Sequence, residues 1–291
     1  MQNTFLFLFP GKVSKVLVTT GDNTKGNLRT SEIVDLTIKG GNKCQNWPKF
    51  PTYAEGAVGG IIEDTVIICG GYVGFLDSSY TNECYSLSGW SVALVTHMSV
   101  ERSFAASIVL HDTTLWITGG SGDFGRLSSS EYITLDGTMP GPTMPIALSY
   151  HAMVVINDTY SMIIGGNKYQ GVVSSTIYYN HKEEKWINGP NLIQERIKHA
   201  AGIVTDEFTR ETFVMVTGGI GDNPGPLSST EFLKDGNWNQ GKLREPIHVS
   251  ICSYSTVTTI LLYVKRAEFV IFLKTILYYT LNISSMDLCM A

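Results

Sequence analysis

The chain has 291 residues, 43% of them hydrophobic, and 29 glycines and ten prolines. That is enough apolar material for one large core, and the glycine and proline content suits a turn-rich fold. The net charge of −5 comes with no basic cluster, which argues against nucleic acid as a partner.

In chain order, a short apolar run ending in glycine recurs five times. Val16-Leu17-Val18-Thr19-Thr20 leads to Gly21, and Val66-Ile67-Ile68-Cys69 leads to Gly70-Gly71. Leu115-Trp116-Ile117-Thr118 precedes Gly119-Gly120, and Ser161-Met162-Ile163-Ile164 precedes Gly165-Gly166. The last copy is Phe213-Val214-Met215-Val216-Thr217 before Gly218-Gly219. The closing glycines, at 21, 71, 120, 166 and 219, set a period near 50, the mark of an array of supersecondary units.

Eleven or twelve residues after each of these glycines comes a second fixed point: Ser31-Glu32, Asn82-Glu83, Ser130-Glu131, Thr176-Ile177 and Thr230-Glu231. A tryptophan follows in four copies, at Trp47, Trp90, Trp186 and Trp238; the third copy has Met139 nearby instead. A connector bearing proline or arginine closes each unit, for example Glu101-Arg102 or Pro190-Asn191-Leu192 with Arg196. A new apolar run then opens, twice just after a histidine, His151 and His199. The runs are too short and lack the period for helices, so each unit reads as four antiparallel strands. Asn157-Asp158-Thr159 suits a tight hairpin between the first two. The paired glycines supply positive φ, the Glu is expected to accept hydrogen bonds from a neighbouring loop, and the Trp to pack between units.

Four-stranded units repeated radially form a β-propeller. The double glycine, the tryptophan and the period together resemble the kelch-repeat family over roughly residues 13–250. The resemblance implies an all-β, kelch-type β-propeller, commonly six-bladed, of which five repeats are visible here. It also implies protein binding through loops on one face. The family includes a copper-radical oxidase, so an extracellular galactose-oxidase-like enzyme is the alternative, and the fold alone does not decide.

The expected organisation is an N-terminal segment (1–12), a propeller (13–253) and a divergent apolar tail (254–291). Gly241 is the last glycine, and the tail lacks the repeat signature. Lys265, Arg266, Glu268 and Lys274 interrupt its apolar residues, so no run reaches the length of a membrane span. The tail reads as a replaced or truncated end. No helical region of the BTB kind precedes the repeats.

None of the five cysteines has metal-ligand spacing. Cys69 and Cys84 stand at repeat positions held elsewhere by Thr or Ile and by Tyr, Phe or Ile, at facing ends of adjacent strands. A disulfide is therefore expected between them, against the alternative of two buried thiols. A bridge would favour an extracellular location over a cytoplasmic one. Asn157-Asp158-Thr159 is also a glycosylation sequon. No catalytic motif stands out: the recurring histidines read as structural, the loop acids Asp77, Asp123 and Asp222 as solvated, and no cofactor is implied.

The expected function is non-catalytic protein binding through the loops that follow the glycines, at residues 22–29, 72–79, 121–127, 167–173 and 220–227. Tyr72, Phe75, Phe124, Arg126 and Tyr169 are the contact candidates, because exposed aromatics and arginine dominate interfaces. Each could equally fold onto its own unit.

Overall fold

The computed structural model describes residues 15–23, 26–35, 45–47, 49–52, 54–73, 80–88, 91–205, 211–222, 225–241, 261–265 and 268–272; side chains are described from Lys49 to Gly241 within these. No helix occurs among them. Phe75 and Trp90 lie outside the described residues, as does the side chain of Trp47.

Four complete antiparallel sheets follow one another along the chain. Sheet 2 comprises Val58–Ile62, Thr65–Cys69, Glu83–Ser88 and Ser91–His97. Sheet 3 comprises Ala106–Leu110, Thr114–Thr118, Ser130–Thr134 and Gly137–Pro140. Sheet 4 comprises Ala152–Val155, Tyr160–Ile164, Thr176–Asn180 and Lys185–Asn188. Sheet 5 comprises Ala200–Thr205, Thr212–Thr217, Thr230–Lys234 and Asn237–Gln240. Sheet 1 precedes them with three strands, Lys15–Asn23, Gly26–Asp35 and Gln45–Trp47. In the tail, Leu261–Lys265 pairs with Glu268–Phe272 as a hairpin, and its first strand lies beside Ala200–Thr205.

The first strands of sheets 2 to 5 stand side by side in sequence order, giving a propeller-like arrangement. The core lies between sheets. Ile67, Cys69 and Cys84 of sheet 2 pack with Leu115, Ile117 and Ile133 of sheet 3. Trp116 of sheet 3 packs with Met153, Ile163 and Tyr179 of sheet 4, and Met162 and Ile164 of sheet 4 pack with Val214, Val216 and Trp238 of sheet 5. Successive residues of each second strand thus serve opposite faces, and both faces are covered. That is why these strands read as continuous apolar runs rather than alternating ones.

The double glycines form the junctions. In sheet 4, Gly165 has φ +58° and Gly166 has φ +111°. A Cβ on Gly166 would lie 2.8 Å from the Cβ of His151, in the connector leading into its own sheet. A Cβ on Gly165 would lie 2.6 Å from the carbonyl oxygen of Arg196, in the connector leading to the next. The Gly166 N–H donates to that carbonyl at 2.9 Å, as Gly71 and Gly120 do to Arg102 and Leu148, both at 2.8 Å. The pairs at 70–71, 119–120 and 165–166 therefore each sit between two connectors with no space for a side chain and tie their sheet to the following one.

Two of the recurrent glutamates, Glu131 and Glu231, accept hydrogen bonds from a neighbouring loop. Glu131 accepts from the N–H groups of Ser99 (2.6 Å) and Val100 (3.2 Å) and from Arg102 Nη2 (2.6 Å). Glu231 accepts from Ile193 (2.7 Å), Gln194 (3.2 Å) and Arg196 Nη2. Both arginines are fully buried and also donate to backbone, Arg102 to Gly119 O and Ser129 O, Arg196 to Gly218 O and Ser229 O. Burial pulls both guanidinium pKa values down, and the paired carboxylates oppose that fall. Sheet 4 replaces the pair as a unit: Leu148 stands where the arginine would, and Ile177 where the glutamate would, both buried. Ser175 Oγ, equivalent to the Ser129 and Ser229 hydroxyls that the arginines engage, has no hydrogen-bond partner among the described residues.

Trp186 and Trp238 pack between sheets as expected. Trp186 approaches Trp116 of sheet 3 with ring centroids 5.9 Å apart, and Trp238 Nε1 donates to Pro190 O at 3.0 Å. The strand register puts Thr138 of sheet 3 at the tryptophan position, beside Met139: Ile133 faces Thr138 as Tyr179 faces Trp186. Met139 is one residue out of phase and exposed. Cys69 and Cys84 are bonded, at directly opposed positions of adjacent strands.

Candidate functional site

Antiparallel order places the loops after the glycines and the connectors between sheets at one end. Bridges Glu55–Tyr72, Ser103–Ser121, Ser149–Asn167 and Ile197–Ile220 join each connector to the loop of its own sheet. Two of these loops are themselves small ribbons, Ser121–Gly122 with Gly125–Arg126 and Asn167–Lys168 with Gly171–Val172.

Toward the centre, one position of each connector builds a column. Gly56, Phe104, Tyr150 and Lys198 are equivalent and all have positive φ, between 54° and 68°. The Phe104 N–H donates to Gly56 O (2.7 Å), Tyr150 N–H to Phe104 O (2.8 Å) and Lys198 N–H to Tyr150 O (3.1 Å). The Phe104 and Tyr150 rings stack at 4.4 Å, and Lys198 Nζ lies 4.9 Å from the Tyr150 ring centroid. A Cβ at Gly56 would lie 2.4 Å from the Phe104 ring, so sheet 2 gives up its side chain there to admit its neighbour's ring. At Phe104 and Tyr150 the strained backbone is held by bonds from both sides, as expected of positions maintained by the array.

Charged and phenolic groups surround this column. Burial raises the Tyr150 phenol pKa, and Glu55 and Tyr80 raise it further while Arg126 opposes them. Burial lowers the Lys198 ammonium pKa, and Glu55 opposes that fall. The Tyr80 phenol is raised by burial and by Tyr72 and Asp123; the Tyr72 and Tyr80 rings meet edge to face at 5.4 Å. Arg126 Nη2 donates to the Asn167 side-chain oxygen at 2.7 Å when that amide is oriented so that its nitrogen donates to Lys168 O and Gly171 O. This contact links the loops of sheets 3 and 4.

The structure thus divides the contact candidates. Tyr72 and Arg126 belong to the central mouth. Phe124 and Tyr169 stand at the ribbon tips with 102% and 93% of their surface exposed. Phe75 lies outside the described residues. Glu55, Tyr80, Phe104, Tyr150 and Lys198 were not singled out by the sequence. Phe104, Tyr150 and Lys198 share one repeat position, which reads Gly, Phe, Tyr and Lys from sheet 2 to sheet 5, and Glu55 and Tyr80 flank it from a connector and a loop.

His151 and His199 are packed between sheets and do not reach the mouth. His151 Nε2 lies 2.9 Å from Thr118 Oγ1 of the preceding sheet. Burial pushes both imidazoles down to about 3, with Arg196 and His151 adding to the effect at His199. No group of three or more His, Cys, Asp or Glu suited to a metal ion occurs among the described residues, and they include no helix long and apolar enough to cross a membrane.

No family model matches the chain, and no curated protein matches it. Among solved structures, that of YjhT is similar at 12% sequence identity, with 83% of each chain covered and a TM-score of 0.67. At this identity the likeness concerns the fold alone: an all-β, propeller-like assembly of four-stranded antiparallel sheets.

Proposed function

We propose that the chain is a kelch-type β-propeller whose blades are the sheets described above, and that it acts as a non-catalytic protein-binding module. Its binding face is the end that carries the connectors and the ribbon loops. One observation carries this reading: Phe124 and Tyr169 extend from adjacent ribbons, fully exposed, on a base braced by the Arg126–Asn167 contact. Large aromatics held out on rigid ribbons lose little conformational entropy on contact and supply much apolar area, the usual properties of interface anchors. Tyr72 and the mouth residues extend the face toward the centre. Cys69 and Cys84 are committed to each other and His151 and His199 to the seams between sheets, which favours binding over a copper-radical site assembled from these groups.

The test is site-specific photo-crosslinking in cells that make the protein. A crosslinker at position 124 or 169 is expected to capture a partner protein, and one at Asp112 on the opposite end to capture none. Equal yields at all three positions would overturn the assignment of the face. Phe124→Ser with Tyr169→Ser should abolish capture by a crosslinker at position 126 without lowering the melting temperature.

A further inference from the structure

We propose that Asn157 is an N-glycosylation acceptor, and that its glycan marks the end of the molecule opposite the binding face. Asn157 is exposed at the tip between Ala152–Val155 and Tyr160–Ile164 of sheet 4. It is followed by Asp158 and Thr159, which complete the acceptor triplet. Its side-chain oxygen accepts from the N–H groups of Thr159 (2.8 Å) and Tyr160 (2.9 Å). These bonds occupy the oxygen and hold the amide in place, and Asn157 Nδ2 makes no hydrogen bond among the described residues. The tip itself is anchored by bonds that do not involve the acceptor amide, His181 N–H to Thr159 O at 2.8 Å and Ser161 Oγ to His181 Nε2 at 2.8 Å. A bulky substituent on Nδ2 therefore extends into solvent without displacing a contact.

A second, independent observation points to the same compartment. Cys69 and Cys84 are fully buried and bonded. Such a bond forms during folding under oxidising conditions, which are those in which N-linked glycans are transferred. The same bond removes Asn82-Glu83-Cys84 from any rarer use as an acceptor triplet, because the cysteine carries no free thiol.

In the transfer, Asn157 Nδ2 attacks the anomeric carbon of a lipid-pyrophosphate-linked oligosaccharide. The new C–N bond replaces the C–O bond to the pyrophosphate, which leaves with the electron pair, and the amide nitrogen gives up one proton. Thr159 supplies the hydroxyl that the transferring enzyme reads, and neither its hydroxyl nor the Asn157 nitrogen is used by the fold.

The experiment is peptide mapping of the full chain directed for secretion from insect cells. The peptide containing Asn157 is expected to carry hexosamine and hexose. Enzymatic deglycosylation in heavy-oxygen water should convert Asn157 to Asp with uptake of one heavy oxygen. Asn157→Gln and Thr159→Ala should each lose the modification completely at this peptide, and Thr159→Ser should retain it, all with unchanged melting temperature. Asn282-Ile283-Ser284 is a second triplet in the chain, so occupancy must be read peptide by peptide rather than from gel mobility. Secreted material with the Cys69–Cys84 bond formed and Asn157 unmodified would overturn the proposal.

Discussion

Replacing Arg196 by Leu tests how the seams between sheets are held. The arginine is fully buried and donates to Gly218 O (2.9 Å), Ser229 O (3.2 Å), Ser229 Oγ (3.1 Å) and the Glu231 carboxylate. Its removal leaves Glu231 as a buried charge with only two backbone donors, Ile193 and Gln194. Breaking one side of a buried pair costs about 3–5 kcal/mol, most of it the uncompensated charge. The chain contains the apolar solution at the equivalent seam, where Leu148 and Ile177 occupy the two positions. Arg196→Leu with Glu231→Ile should therefore be less destabilising than Arg196→Leu alone. It should still cost about 1–3 kcal/mol, because Gly218 O, Ser229 O and two N–H groups lose partners. Urea unfolding of the four proteins of the double-mutant cycle gives the coupling energy directly. A single variant costing under about 1 kcal/mol, or costs that simply add, would refute the account of the pair.

Gly166→Val places a Cβ 2.8 Å from His151 Cβ at φ +111°, so a loss on the order of 3 kcal/mol is expected in denaturant unfolding. Acid should destabilise the fold through His151 and His199. Both stay neutral in the fold down to about pH 3, whereas the unfolded chain binds their protons near its ordinary pKa of about 6.5. Stability is therefore complete above about pH 6.5 and falls as pH drops toward 3, by about 1.4 kcal/mol per pH unit for each histidine. Double substitution of both histidines by leucine should flatten that slope in urea midpoints between pH 7 and 5; an unchanged slope would show other groups to be responsible. Cys69→Ser with Cys84→Ser opens a link between residues 15 apart in sequence and should cost about 3 kcal/mol, read as a lower melting temperature that reductant does not lower further.

The sheets were legible in the sequence because their special residues recur at the same step of most units. The glycine pair needs positive φ and no side chain wherever it occurs, so it cannot drift. The Cys69–Cys84 bond was legible for the converse reason: two positions departed from the repeat together, in one unit, at facing strand ends. The Arg102–Glu131 pairing was only half visible. The glutamate recurs, but its arginine lies about 30 residues earlier in a connector that varies in length of approach and composition, and only folding brings the two together. The mouth was legible least. Tyr72 and Arg126 were read as contact candidates because loops were searched, whereas Tyr150 and Lys198 lie in connectors among structural residues and share a repeat position with no motif around it.

The Arg–Glu pairs also decide where this chain can be cut and rejoined. Arg102 and Glu131 both serve sheet 3, yet the arginine lies before that sheet's first strand, and the same holds for Arg196 and sheet 5. A module excised from first strand to first strand leaves its cation behind. Removing residues 152–199 in that way would join the connector that carries Leu148 to sheet 5 and leave Glu231 without its arginine. Removing residues 144–191 instead, from the start of one connector to the start of the next, carries Leu148 and Ile177 out together and keeps Arg196 with Glu231. The transferable piece of this architecture is thus a connector with the sheet that follows it, and engineered or natural shortening of the array should respect that boundary.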